Sequence, residues 1–163
     1  YSSSYMEKVF GVKEPKVGLL SVGTEDKKGN AVTKEAFELF KNSDLNFVGN
    51  MEAKTALSGE YDVIIADGFN GNVLLKAIEG TTKSVVSRIM TLIKKHAKKE
   101  DNTDFVKGAF GELMQTLDFN SLGGAMLLGV KKPIIKAHGS ANTDTVVNTV
   151  KQAMNIINSG FNR

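Results

Sequence analysis

Short apolar runs alternate with amphipathic stretches along most of this chain, and the two periods separate its elements. Val17 to Val22 (VGLLSV) and Asp62 to Ala66 (DVIIA) are brief, apolar and bounded by turn residues, the pattern of strands buried on both faces. Leu45 to Val48, Met126 to Val130 and Ile134 to Ala137 predict further strands. Helical spacing fills the segments between them. From Thr33 to Lys41, the apolar positions Ala36, Phe37, Leu39 and Phe40 fit one face of a helix. Residues 1–12 read as the end of a helix closed by Gly11, with Pro15 forbidding its continuation. Asn50 stands where an N-cap should, predicting a short helix through Leu57. Helix is predicted from about residue 73 to Lys99, and again from Phe105 to Leu117 after a polar break at Glu100 to Asp104. A last helix is expected from about Asn142 to Ile157.

Strands alternating with helices imply an α/β layered domain with a largely parallel sheet. The helical pair at 73–117 interrupts that rhythm and reads as a protruding hairpin on a single domain, because no repeat or low-complexity linker marks an internal boundary. The chain opens without methionine on Tyr1-Ser2-Ser3-Ser4-Tyr5, which has neither the basic region nor the apolar core of a signal peptide, and a fragment or a processed chain is expected.

Composition narrows the chemistry by exclusion. At 163 residues a domain can bury roughly 70% of the surface its unfolded chain exposes, and 41% hydrophobic with 24% charged residues is ordinary for a globular protein. The absence of cysteine excludes disulfides, thiolate nucleophiles and cysteine zinc sites, and with only His96 and His138 a histidine-rich metal site is not expected. A net charge of +3 is too small to argue for nucleic acid but suits anionic partners. No apolar run approaches the ~20 residues of a membrane span.

Three polar segments share one design, in which an apolar strand ends, glycine and polar residues follow, and a helix begins. They are Gly23-Thr24-Glu25-Asp26-Lys27-Lys28-Gly29-Asn30, Asp67-Gly68-Phe69-Asn70-Gly71-Asn72 and His138-Gly139-Ser140-Ala141-Asn142. At the carboxyl ends of strands in an open α/β sheet, such loops line the ligand crevice, and helix N-termini there offer N–H groups to an anion. Any one of them alone reads more readily as ordinary turn and cap chemistry. None carries GxGxxG, GxxxxGK[ST] or GxSxG, so a dinucleotide fold, a P-loop and a nucleophile elbow are unsupported.

Longer strings carry a family resemblance. VGLLSVGTEDKKGNAVTKEAF at 17–37, FVGNMEAK at 47–54, DGFNGNVLLKAIEG at 67–80 and GGAMLLGVKKPIIKAHGS at 123–140 resemble the segments that mark the bacterial phosphate acyltransferases of the PlsX family. The strings are ordered and spread over nearly the whole chain. Where the family often carries arginine after the GN-x-E-x element this chain has Lys54, which lacks the bidentate guanidinium fork. Family members are about twice this length, so the resemblance implies the carboxy-terminal half of such a protein. It also implies a three-layer α/β/α fold like that of isocitrate and isopropylmalate dehydrogenases.

The implied reaction is attack of inorganic phosphate on the thioester of an acyl carrier protein, releasing acyl-phosphate for phospholipid synthesis. Phosphate near neutral pH needs little deprotonation, and a thiolate with pKa about 8.5 is a tolerable leaving group. The site therefore needs anion binding and carbonyl polarisation more than strong acid–base chemistry, and no metal or cofactor is expected. On this reading Lys28, with Lys27 second, holds phosphate or the phosphopantetheine arm. Asn72 and the N–H groups around Gly71 polarise the thioester oxygen. Lys76, one turn further, adds positive charge, and His138 protonates the departing thiolate or hydrogen-bonds substrate. Glu25, Asp67 and Glu79 orient these cations. Gly29, Asn30, Asn50, Gly68, Gly139 and Ser140 complete the expected substrate-binding set. Charged-turn, cap and structural hydrogen-bond roles remain the plain alternatives for Lys27 and Lys28, Asn72 and His138 respectively.

In the predicted hairpin, Val85, Val86, Ile89, Met90, Leu92 and Ile93 form one apolar stripe. Phe105, Val106, Ala109, Phe110, Leu113, Met114 and Leu117 form another, with Lys94, Lys95, Lys98 and Lys99 between. The stripes pack on each other, on a second copy in a homodimer, or on an anionic membrane surface. A cytoplasmic protein with peripheral membrane contact is the corresponding expectation. The rival functions are a phosphotransacetylase-like enzyme using acyl-coenzyme A and a non-catalytic anion-binding module.

Overall fold

The computed structural model describes residues 1–97, 104–116, 123–137, 139 and 141–161. The chain divides into two compact units. The first holds residues 1–74, 126–134 and 153–163, and the second holds 75–125 and 135–152.

In the first unit a parallel sheet runs in the order β2-β1-β3, with β1 at Val17–Ser21, β2 at Phe47–Glu52 and β3 at Val63–Ile65. Helix α1 (Ser2–Phe10) precedes it and ends at Gly11 in a left-handed conformation (φ +71°), the stop that Gly11 and Pro15 predict. Helix α2 (Ala31–Lys41) returns the chain from β1 to its parallel neighbour β2, as parallel pairing requires. The apolar face of α2 places Phe37 edge-on to Phe47 at 5.3 Å. Val17, Leu19, Phe37, Met51, Val63 and Ile156 are buried. Gly18 is required by close approach, since a Cβ there would stand 2.6 Å from the Tyr61 ring.

Strand β2 corrects two expectations. It begins at Phe47 and runs to Glu52, so Asn50 is a strand residue in register with Leu19 and not a helix cap. Only one 3-10 turn, Ala53–Thr55, follows in place of the short helix. Pairing along β1 and complete burial of Met51 outweigh the capping preference of asparagine.

Helix α3 (Gly68–His96) starts five residues before the predicted position, because Asp67 caps it. Helix α4 spans Asp104–Thr116, and the predicted ends at Lys99 and Leu117 lie outside the described residues. Strands β4 (Ala125–Leu127) and β5 (Ile134–Lys136) form their own two-stranded sheet, so the parallel sheet comprises β2, β1 and β3 alone among the described residues. Helix α5 (Thr143–Asn158) begins where Asn142 Oδ1 accepts the Thr145 N–H at 2.9 Å, and the Gln152 side chain bonds both backbone groups of Gly124. No described helix is long and apolar enough to cross a membrane.

Candidate functional site

Because β1, β2 and β3 are parallel neighbours, the segments that follow them leave the same edge of the sheet. Two of the three polar segments singled out above begin there, after β1 and after β3.

The segment after β1 is held by its backbone. The Glu25 carbonyl accepts the Lys28 N–H at 3.0 Å and the Asn50 Nδ2–H at 2.9 Å. Lys28 Nζ lies 3.9 Å from the Glu25 carboxylate, and both side chains are more than half exposed. Such a pair is weak and leaves the ammonium open to a stronger anion. Lys27 is exposed. Asp26 instead pairs with Lys41 of α2 at 3.0 Å, which raises the Lys41 pKa through that hydrogen bond and its charge. Gly29 has φ +108°, and a Cβ there would meet Thr33 at 2.8 Å and Ser21 Oγ at 3.0 Å. Asn30 caps α2, its Oδ1 accepting the Thr33 N–H at 2.9 Å and the Thr33 hydroxyl at 3.0 Å. Asn50 is 5% exposed, so it stands behind the segment's backbone, away from solvent.

The segment after β3 turns into α3 through Asp67. One carboxylate oxygen accepts the Phe69 N–H at 2.9 Å and the Asn70 N–H at 2.7 Å, and the other accepts the Asn70 side-chain amide. These bonds, led by the Asn70 N–H, lower the Asp67 pKa from its ordinary value. The Gly71 N–H donates to the Asp67 carbonyl at 2.9 Å. It is therefore engaged within the helix, whereas the Asn72 side chain is exposed. Gly68 is the first helical residue. Lys76 follows Asn72 by four residues in α3 and forms an ion pair with Glu79 at 2.7 Å. Lys54, beside the turn after β2, pairs with Glu52, which raises its pKa.

In the third segment Gly139 is exposed, while His138 and Ser140 lie outside the described residues. Sequence reasoning missed two buried polar atoms in the first unit, Ser21 Oγ and Asn50 Oδ1, which have no hydrogen-bond partner among the described residues. Only the strand register, which puts Asn50 beside Leu19, reveals its burial. A cavity of about 470 Å³ opens elsewhere, lined by residues that include Glu7, Glu14 and Asp44. Asn46 and Glu14 place it toward the amino ends of β1 and β2, and its carboxylates repel anions, so it is no substitute for the loop edge.

The family model described as "Fatty acid synthesis protein" matches residues 1–163. The phosphate acyltransferase of Oceanobacillus iheyensis is 46% identical over 155 residues, which are 95% of this chain and 47% of that protein. The phosphate acyltransferase of Bacillus pumilus is 44% identical over 155 residues, with the same two coverages. That of Caldanaerobacter subterraneus is 39% identical over 153 residues, 94% of this chain and 46% of the relative. The chain spans about half the length of the curated relatives it matches.

Proposed function

The chain belongs to the fatty acid synthesis protein family, and from that premise we propose that it contributes phosphate-binding and thioester-binding loops to a phosphate acyltransferase. The reaction moves a fatty acyl group from an acyl carrier protein thioester to inorganic phosphate, giving acyl-phosphate for phospholipid synthesis. The observation that carries the reading is the pairing of β1 with β3, which puts the Lys27-Lys28 segment and the Asn72 turn at one sheet edge.

In the proposed mechanism Lys28 holds the phosphate dianion in reach of the acyl carbon. A phosphate oxygen adds to the carbonyl, and the Asn72 amide donates a hydrogen bond to the oxygen that gains charge. Collapse of the tetrahedral intermediate breaks the carbon–sulfur bond and releases the thiolate, which takes a proton from solvent. Lys27 and Lys76 add positive charge for the phosphopantetheine arm. Gly29 and Asn30 shape the first loop, and Asp67, Gly68 and Gly71 shape the second. The reading extends, as the family resemblance implies, to a three-layer α/β/α fold and to homodimer or membrane contact through the helices α3 and α4.

The test combines acyl carrier protein thioester with phosphate and follows hydroxylamine-trappable acyl-phosphate, using a polypeptide of the relatives' length that contains these residues. Acyl-coenzyme A serves as the alternative donor. Product from the carrier thioester supports the reading, product from coenzyme A alone redirects it to a phosphotransacetylase, and binding of phosphate without product reduces it to an anion-binding module.

A further inference from the structure

We propose that Asn50 is the positioning residue of this site, setting the shape of the Gly23–Asn30 loop and, through it, the place of Lys28. The role given to Lys28 rests on the phosphate-transfer reading above, whereas the hold on the loop does not. Asn50 lies in β2 in register with Leu19 of β1 and is 5% exposed, so it acts from behind the loop. Its Nδ2–H donates to the Glu25 carbonyl at 2.9 Å, the same oxygen that accepts the Lys28 N–H at 3.0 Å. One backbone oxygen thus ties the turn that carries Lys28 to the strand beside it.

The other end of the amide sharpens the case. Asn50 Oδ1 is buried with no partner among the described residues. An unpaired buried acceptor costs free energy that an apolar side chain of similar size does not. For packing alone leucine would serve better at position 50, and what asparagine adds is the bond to Glu25. Glu25 is itself exposed. Its carbonyl still accepts the Lys28 N–H when the amide is removed, so the fold loses little while the loop loses its anchor to β2.

The test compares Asn50→Ala and Asn50→Asp with the unaltered protein in a polypeptide of the relatives' length. Asn50→Ala should raise the KM for phosphate about tenfold, leave kcat at saturating phosphate within about threefold, and keep the unfolding midpoint. Amide exchange in residues 23–30 should quicken while that in 31–41 stays unchanged. Asn50→Asp has the same shape, but only its protonated carboxyl can donate to the Glu25 carbonyl. Its phosphate KM should therefore recover as pH falls, a profile the unaltered protein lacks. An unchanged phosphate KM in folded Asn50→Ala, a lowered midpoint with no selective loop exchange, or a flat profile in Asn50→Asp overturns the proposal. If the unaltered protein makes no acyl-phosphate, the reaction is wrong, and exchange in 23–30 still decides whether Asn50 holds the loop.

Discussion

Replacing Gly29 with alanine perturbs the candidate site at a point where two penalties add. The residue sits at φ +108°, where an L side chain costs about 1–2 kcal/mol. The new methyl group would also stand 2.8 Å from Thr33 Cβ and 3.0 Å from Ser21 Oγ. Relieving such overlap costs about 1–3 kcal/mol, because Thr33 is held by the Asn30 cap and cannot shift without loosening the first turn of α2. The sum, about 2–5 kcal/mol, corresponds to a fall in Tm of roughly 10 °C for a chain of this length. Gly59 supplies the control, since it has φ +78° but nothing within 4 Å of its Cβ position. Gly59→Ala should therefore show only the backbone part, about 1–2 kcal/mol. Urea unfolding followed by circular dichroism measures both, provided the m-values agree. A Gly29→Ala variant no less stable than Gly59→Ala would refute the tight packing of the loop against Thr33 and Ser21.

Other outcomes follow from the same geometry. Asn72→Ala should cut acyl-phosphate formation by about 10²–10³ with the fold intact, and a loss under about tenfold would remove Asn72 from the oxyanion role. Met51→Ala, at a position with no solvent exposure, should destabilise by about 2–5 kcal/mol in the same urea titration. Asp67 has a folded pKa below its ordinary 3.8, so its contribution is complete above about pH 4 and is lost as pH falls through the lower folded value. Protection of the Phe69 and Asn70 amides, taken relative to their intrinsic exchange rate at each pH, should therefore fall in acid with Asp67 present and lose that dependence in Asp67→Asn. Protection independent of pH would contradict the cap.

The elements legible in the sequence are those whose signals are local. Gly11 and Pro15 stop α1, the apolar run at Val17 marks β1, and Asp62 to Ala66 brackets β3, because glycine, proline and unbroken apolar runs act within a few residues. The start of α3 was hidden by its glycines and asparagines, which read as turn residues until the Asp67 carboxylate is seen capping them. Asn50 shows the opposite failure. Its capping propensity is real, but its partner is the Glu25 carbonyl, 25 residues away, and no local pattern encodes that bond. The separate pairing of β4 with β5 likewise depends on which strands meet, not on the apolar content of either. For the site, the loops after β1 and β3 were legible as strand-to-helix turns, whereas the engagement of Gly71 inside the helix was not.

The central claim is that the Lys28 loop and the Asn72 turn serve one reaction, phosphorolysis of an acyl thioester. Its most direct measurement is a paired assay on one sample, following thiol release from acyl carrier protein thioester and acyl-phosphate trapped by hydroxylamine. The account predicts phosphate-dependent release of thiol matched one-for-one by acyl-phosphate, lost in both Lys28→Ala and Asn72→Ala. Thiol release that is independent of phosphate, or that proceeds without acyl-phosphate, would contradict it.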